Sequence, residues 1–221
     1  MDSAPNQNKN IVIAIVGRPN VGKSTLFNSL TKTRDALVLN IPGVTRDRQY
    51  GVARFDDIPV TLVDTGGLSC DLGDEDLESI AQNLKKAPKA KNNKIKKDIS
   101  AEMQIDLLML EQTQMAVQES DLIYFLIDGK AGLNAQDQKI MQQLRKQNKP
   151  TLFIANKTDG MNTVTIKSEL YEAGFGEPLF ISATQRRGIS HLIEKSFEVI
   201  DKNTPEKLAA LKEEHAIENN F

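Results

Sequence analysis

Residues 17–24 read Gly17-Arg18-Pro19-Asn20-Val21-Gly22-Lys23-Ser24 and follow directly on the apolar run Ile11-Val12-Ile13-Ala14-Ile15-Val16. This combination has the chemistry of a phosphate cradle. A loop between a buried strand and a helix points successive backbone N–H groups at one spot, and the helix N-terminus adds positive dipole there. Gly17 and Gly22 let the main chain approach phosphate oxygens without a clashing Cβ. Lys23 can reach β- and γ-phosphates, and the Ser24 hydroxyl can ligate Mg²⁺. A helical pattern over 25–30, opening at Thr25, completes the strand–loop–helix context that separates such a cradle from an ordinary Gly-rich turn. The segment predicts binding of a nucleoside triphosphate.

Three further clusters have compatible chemistry. The run 60–63 ends in Asp64-Thr65-Gly66-Gly67. At the carboxyl end of a strand beside the cradle, Asp64 can hold the Mg²⁺ hydration shell and the Gly67 N–H can sense a γ-phosphate. After the run 151–154 comes Asn156-Lys157-Thr158-Asp159. The Asp159 carboxylate can accept from guanine N1–H and the N2 amino group together, whereas adenine would leave it unpaired. Asn156 can bind the purine edge and brace the phosphate loop, and the Lys157 stem can lie over the base. Backbone N–H groups of Ser182-Ala183-Thr184 can contact guanine O6. Between the cradle and Asp64 lies Pro42-Gly43-Val44-Thr45-Arg46-Asp47-Arg48, loop-like in its Gly and Pro. There Thr45 can complete Mg²⁺ coordination in the triphosphate state and release it after hydrolysis. Arg46 and Arg48 either neutralise phosphate charge or are solvated.

The elements that must position these groups follow from hydrophobic periodicity. Apolar runs at 11–16, 50–55, 60–63, 122–127, 151–154 and 178–181 alternate with helical patterns at 23–30, 105–118, 136–147, 163–171 and 189–200. Alternation of this kind predicts an α/β fold with a mostly parallel six-stranded sheet and helices on both faces. The second and third runs are too close for a crossover and predict an antiparallel hairpin at one edge. Ile189, Leu192, Ile193, Phe197 and Ile200 share one helical face and are expected in the core. Residues 1–10 read as a flexible N-terminal tail, 11–203 as the nucleotide-binding domain and 204–221 as a linker or frayed C-terminal tail. A charged insertion over about 70–104 turns from acidic to basic, with seven lysines between Lys85 and Lys97, and is expected to be mobile.

With 221 residues and 39% apolar composition, the chain can bury one substantial core, and its net charge of −2 exerts no global pull on nucleic acid or anionic membrane. The single cysteine, Cys70, excludes an intramolecular disulfide and suits a reducing compartment. No apolar stretch approaches membrane-spanning length, so a cytoplasmic protein with no membrane partner is expected.

Taken together, residues 17–28, 42–48 and 64–67 resemble the first G domain of the Der (EngA) family over about residues 10–200. The resemblance implies a P-loop NTPase fold of the Ras-like G-domain type, GTP/GDP and Mg²⁺ as ligands, and slow GTP hydrolysis. It also implies, for a full-length protein with two G domains and a KH-like domain, a role in maturation of the large ribosomal subunit. One G domain is present here, which reads as an isolated N-terminal domain, and the Lys-rich insertion is longer than the family pattern. Catalysis is expected to rest on Lys23, Thr45 and Gly67, because Leu68 stands where Ras-like proteins place a water-orienting glutamine. The resemblance further suggests a potassium ion with Asn20 as ligand; the alternative for Asn20 is a loop-stabilising amide. Rival readings are a metabolic ATP-dependent kinase, disfavoured by Asn156–Asp159, and a module that holds nucleotide without turnover. The lysines at 85–97 raise direct RNA contact as a further option, although they lack interleaved aromatics for stacking.

Overall fold

The computed structural model describes residues 10–31, 49–65 and 113–218. The expectations for Thr45, Arg46, Arg48, Gly67, Leu68, Cys70, the 70–104 insertion with its lysines, and the tail before residue 10 lie outside the described residues.

Six strands form one sheet: β1 (Ile11–Val16), β2 (Gln49–Phe55), β3 (Ile58–Asp64), β4 (Leu122–Asp128), β5 (Thr151–Asn156) and β6 (Leu179–Phe180), in the order β2-β3-β1-β4-β5-β6. Only β2 runs antiparallel, paired with β3 through a two-residue turn at Asp56-Asp57. Both turn residues have positive φ (48° and 67°), the backbone of a type I′ hairpin, which Asp tolerates better than most side chains. The predicted edge hairpin is therefore present.

Alternation along the central strands sends side chains to two separate cores, as a sheet buried on both faces requires. Ile13, Ile15, Tyr124 and Leu126 point to one face, covered by α1 (Lys23–Thr31), α4 (Ile189–Asn203) and α5 (Pro205–Glu218). Ala14, Val16, Ile123, Phe125 and Ile127 point to the other, covered by α2 (Ala135–Gln147), α3 (Thr163–Glu172) and the helical residues 113–119. Leu192 and Ile200 of α4 are buried, and Ile193 and Phe197 pack against them, as the helical spacing predicts.

Two differences from the sequence-based expectations have physical causes. Residues 205–218 are a helix rather than a linker or frayed tail. Pro205 opens it, its fixed φ and missing N–H costing nothing at a first helical turn. Leu208 and Leu211 then enter the first core (1% and 3% exposed). Lys207 Nζ donates to Asp121 Oδ1 at 2.7 Å, while Asp121 Oδ2 accepts from the Val12 N–H at 2.9 Å, so α5 is tied to the start of β1. Two leucines three apart in a charged run are too sparse a pattern to register as an apolar face. The other difference is β6, which starts at Leu179 rather than 178, since Pro178 has no N–H to give the ladder.

Candidate functional site

The register brings four strand ends to one side of the sheet. Ile15 of β1 lies beside Asp64 of β3, Val16 beside Phe125 of β4, and Asp128 of β4 beside Asn156 of β5. The loop 17–22 emerges from β1 into this crevice and turns into α1, so the helix N-terminus faces it. Both loop glycines are forced by close approach. A Cβ on Gly17 would sit 2.4 Å from the Leu126 carbonyl oxygen, and one on Gly22, whose φ is +99°, would sit 2.4 Å from Asn156 Nδ2.

Lys23 lies inside the loop rather than in solvent. It is 5% exposed, and its Nζ donates to the carbonyls of Gly17 and Arg18, both at 2.9 Å. Burial lowers its pKa to about 8, Arg18 adds to that, and the nearby Asp64 carboxylate opposes it. A desolvated ammonium beside converging N–H groups is a concentrated positive centre that phosphate oxygens can neutralise. Pro19, Asn20, Gly22, Lys23, Ser24, Thr25 and Lys157 line a cleft of about 650 Å³ at this point. Val21 is wholly buried beneath it.

The predicted Mg²⁺ ligands can be tested against chemistry of the donors. Ser24 is exposed at the first turn of α1, and Asp64 ends β3 next to β1 at 4% exposure. Thr65, one residue on, anchors this strand end by donating to the Ile15 carbonyl at 2.8 Å. One hydroxyl and one carboxylate suit Mg²⁺, which keeps several waters and takes phosphate oxygens instead of a full protein cage. Consistent with that, no group of three or more His, Cys, Asp or Glu gathers as a metal cage among the described residues. Asn20 has a positive φ of 66° and is exposed at the cleft rim, and its carbonyl is taken by Lys157.

At the other end of the cleft, the segment after β5 ties the site together. Asn156 is 2% exposed and both halves of its amide are committed: Nδ2 donates to the Val21 carbonyl (2.9 Å) and Oδ1 accepts from the Ala183 N–H (3.0 Å). It thus braces the phosphate loop against the 182–184 turn, one of the two roles expected of it. Lys157 spans the cleft, donating to the Asn20 carbonyl at 2.6 Å and to Asp128 Oδ2 at 2.8 Å. Asp159 accepts from Lys130 Nζ at 3.0 Å and from Ser182 Oγ at 3.1 Å, and these bonds, Lys130 first, hold its carboxyl below the usual range. The Ser182 N–H is used by the Arg187 carbonyl. Of the three N–H groups expected at guanine O6, Ser182 and Ala183 therefore already have acceptors within the protein, and Thr184 follows on the exposed turn.

Asp128, Lys130 and Asp137 were not singled out in the sequence. Asp128 ends the apolar run of β4 just before Gly129, the same strand-end position as Asp64, and that position was the available signal. Burial opposes its ionisation but is outweighed by the Lys157 ammonium and the N–H groups of Ala131 and Lys130, so its pKa falls. Arg18, predicted with the nucleotide ligands, contributes its carbonyl to Lys23, while its guanidinium turns to Asp137 of α2 (Nε–Oδ2 3.2 Å).

A phosphate loop at the topological switch of a mostly parallel sheet, faced by an Asn-Lys-x-Asp segment at the end of β5, defines a P-loop GTPase domain. Residues 12–157 match the family described as 50S ribosome-binding GTPase. The chain is 46% identical over 182 residues, 82% of its length, to GTPase Der of Thioalkalivibrio sulfidiphilus, of which it covers 33%. Era of Aquifex aeolicus bound to GDP and AlF₄⁻ shares the fold with a TM-score of 0.62 at 25% identity, covering 86% of this chain and 57% of that one. Era bound to MgGDPNP and nucleotides 1506–1542 of 16S ribosomal RNA also matches, at 26% identity and TM-score 0.62 over 86% of this chain and 57% of that one. The chain belongs to the 50S ribosome-binding GTPases and, within them, to the Der family. It spans about a third of the length of the curated relatives it matches.

Proposed function

We propose that this chain binds GTP with Mg²⁺ and hydrolyses it to GDP and phosphate, as the first G domain of a GTPase that assists maturation of the large ribosomal subunit in the cytoplasm. The observation that carries the reading is the tie between the two ends of the cleft. Asn156 and Lys157, from the segment that would read guanine, hold the carbonyls of Val21 and Asn20 in the loop that would hold phosphates. In this reading base recognition and phosphate placement are linked through these two bonds.

In this reading Gly17, Gly22, Lys23, Ser24 and Thr25 cradle the phosphates, Ser24, Asp64 and Thr45 hold Mg²⁺, and Asp159 selects guanine, with the Thr184 N–H left to face O6 because those of Ser182 and Ala183 already have acceptors. Lys23 and the Gly67 N–H stabilise charge that develops on the γ-phosphoryl oxygens. Mg²⁺, when bound, neutralises phosphate charge. Leu68 cannot hydrogen-bond a water, and no general base is assigned. A potassium ion at Asn20 would supply the missing positive charge. The family's description and the RNA-bound Era support a ribosomal partner, which the lysines at 85–97 could contact through RNA phosphates.

The test is a phosphate-release time course with GTP in K⁺ and in Na⁺, with ATP as control and GTP or ATP competing for a fluorescent GDP. GTP-selective release supports the reading, and equal competition by ATP overturns it. Equal rates in the two salts would remove the cation role of Asn20 alone.

A further inference from the structure

The phosphate loop carries one cation that does not face the cleft. Arg18, second in the loop, is expected from the sequence among the phosphate ligands, yet its Nε donates to Asp137 Oδ2 of α2 at 3.2 Å. Asp137 is 0% exposed. It closes a capping box with Asn134: its N–H donates to Asn134 Oδ1 at 2.9 Å, and its Oδ2 accepts from the Asn134 N–H at 3.2 Å.

Capping alone does not account for this arrangement. A cap needs one acceptor at the helix mouth, and an exposed polar residue supplies it without burying a charge. Here the carboxylate is fully buried, and Oδ1 has no hydrogen-bond partner among the described residues. Leaving a buried carboxylate oxygen unpaired is costly. Burial accordingly raises the Asp137 pKa, against the bond from Asn134 and the charge of Arg18. What the buried charge does is hold Arg18, and the Arg18 carbonyl is one of the two acceptors that receive the Lys23 ammonium. A continuous path therefore runs from the α2 cap through Asp137 and Arg18 to Lys23.

We propose that Arg18 and Asp137 are a positioning pair that sets the phosphate loop, and with it Lys23, for action on the nucleotide phosphates. Neither side chain touches nucleotide; both act through the loop backbone. The proposal rests on the GTPase reading above. Its consequence is that the α2 N-terminus and the phosphate site are mechanically coupled: displacing α2 loosens Lys23.

The experiment is a double-mutant cycle in the 221-residue chain with Arg18→Ala, Asp137→Asn and both together, plus Arg18→Lys, read as kcat and KM for GTP, fluorescent-GDP affinity and thermal midpoint. Asn at 137 keeps the shape and the capping acceptor while removing the charge. Each single change is expected to lower kcat/KM roughly tenfold, mostly in kcat, as a small misplacement of a catalytic group does. The double variant should fall no further than the singles, since the two residues act as one unit, and Arg18→Lys should recover part of the loss. Singles within twofold of the wild type, or losses that multiply in the double, overturn the pair. If Asp137→Asn does not fold, Arg18→Ala and Arg18→Lys, which leave the buried carboxylate in place, decide alone. A wild-type chain that binds no GDP overturns the functional reading and the pair's role with it, whereas a wild type that binds GDP and hydrolyses GTP beside unaffected Arg18 variants overturns the pair only.

Discussion

The two ends of the cleft are built in opposite ways. At the phosphate end, one continuous stretch from Gly17 to Thr25 supplies the cradle, and Lys23 bonds to carbonyls five and six residues before it. At the base end, Asp128, Asn156, Asp159 and Ser182 come from three different strand ends and meet across separations of 23 to 29 residues. Their charges are tuned differently as well. Lys23 is shifted by burial, while Asp159 is shifted by ion pairing with an exposed lysine. A local loop can specify a buried charge through its own backbone, whereas an assembled surface depends on every element that carries a member. Asn156 and Lys157 join the two ends.

That contrast can be broken at each end. The largest effect is expected at Lys23: Lys23→Ala should reduce phosphate release from GTP by about 10²–10³-fold, the usual loss when a preorganised charge stabiliser is removed. Hydrolysis within tenfold of the wild type would show that the local end is not where the chemistry is concentrated. Asp159→Ala should instead leave turnover of bound nucleotide nearly intact and lower the preference for GTP over ATP, by about 10²-fold, in competition assays. Equal losses for GTP and ATP would place Asp159 outside base recognition.

The joint is tested by Asn156→Ala, which leaves the Val21 carbonyl and the Ala183 N–H buried without their partners. Unfolding in urea should show a loss of about 2–3 kcal/mol, with weaker GDP binding in proportion. If stability falls but GDP affinity does not, the two ends are independent.

The smallest effect is a pH dependence with opposite signs for fold and ligand. The Lys23 pKa is about 8 in the folded chain and 10.5 when exposed in the unfolded one. Between these values the unfolded state holds more protons, so the Lys23 contribution to stability rises with pH from about 8 toward 10.5. Below 8 both states are protonated and the cost of burying the charge is constant. Relative to Lys23→Met, the nucleotide-free wild type should gain about 2 kcal/mol between pH 7.5 and 9.5, measured by thermal or urea unfolding. Triphosphate affinity should fall over the same range as the ammonium is lost. No gain relative to Lys23→Met would mean that Lys23 is solvated and that the contrast between burial and pairing does not hold.

How much was legible in the sequence follows the same division. The cradle, the strand runs and the Asn-Lys-x-Asp segment were readable because each is contiguous and has a short period or a fixed spacing. The pairing of Asp128 with Lys157, of Lys130 with Asp159 and of Arg18 with Asp137 was not, because each partner lies 29 or more residues away on another element. Arg18 illustrates the difficulty. Its position in the loop suggested phosphate, and only the approach of the α2 cap shows where the guanidinium goes. Helix α5 escaped for a related reason, since two buried leucines in a charged segment acquire meaning only when a sheet face waits to receive them.

By itself, then, the sequence determined the chain order of the six strands and of the helices up to residue 200, a loop whose glycines and lysine can hold phosphates, and a carboxylate suited to guanine. Local spacing and backbone geometry suffice for those. The tertiary structure decided which carbonyls receive the Lys23 ammonium, that Asn156 spends its amide bracing the loop, and that Arg18 turns away from the cleft toward a buried Asp137. Those outcomes depend on parallel register and helix packing, which bring together groups that no spacing along the chain relates.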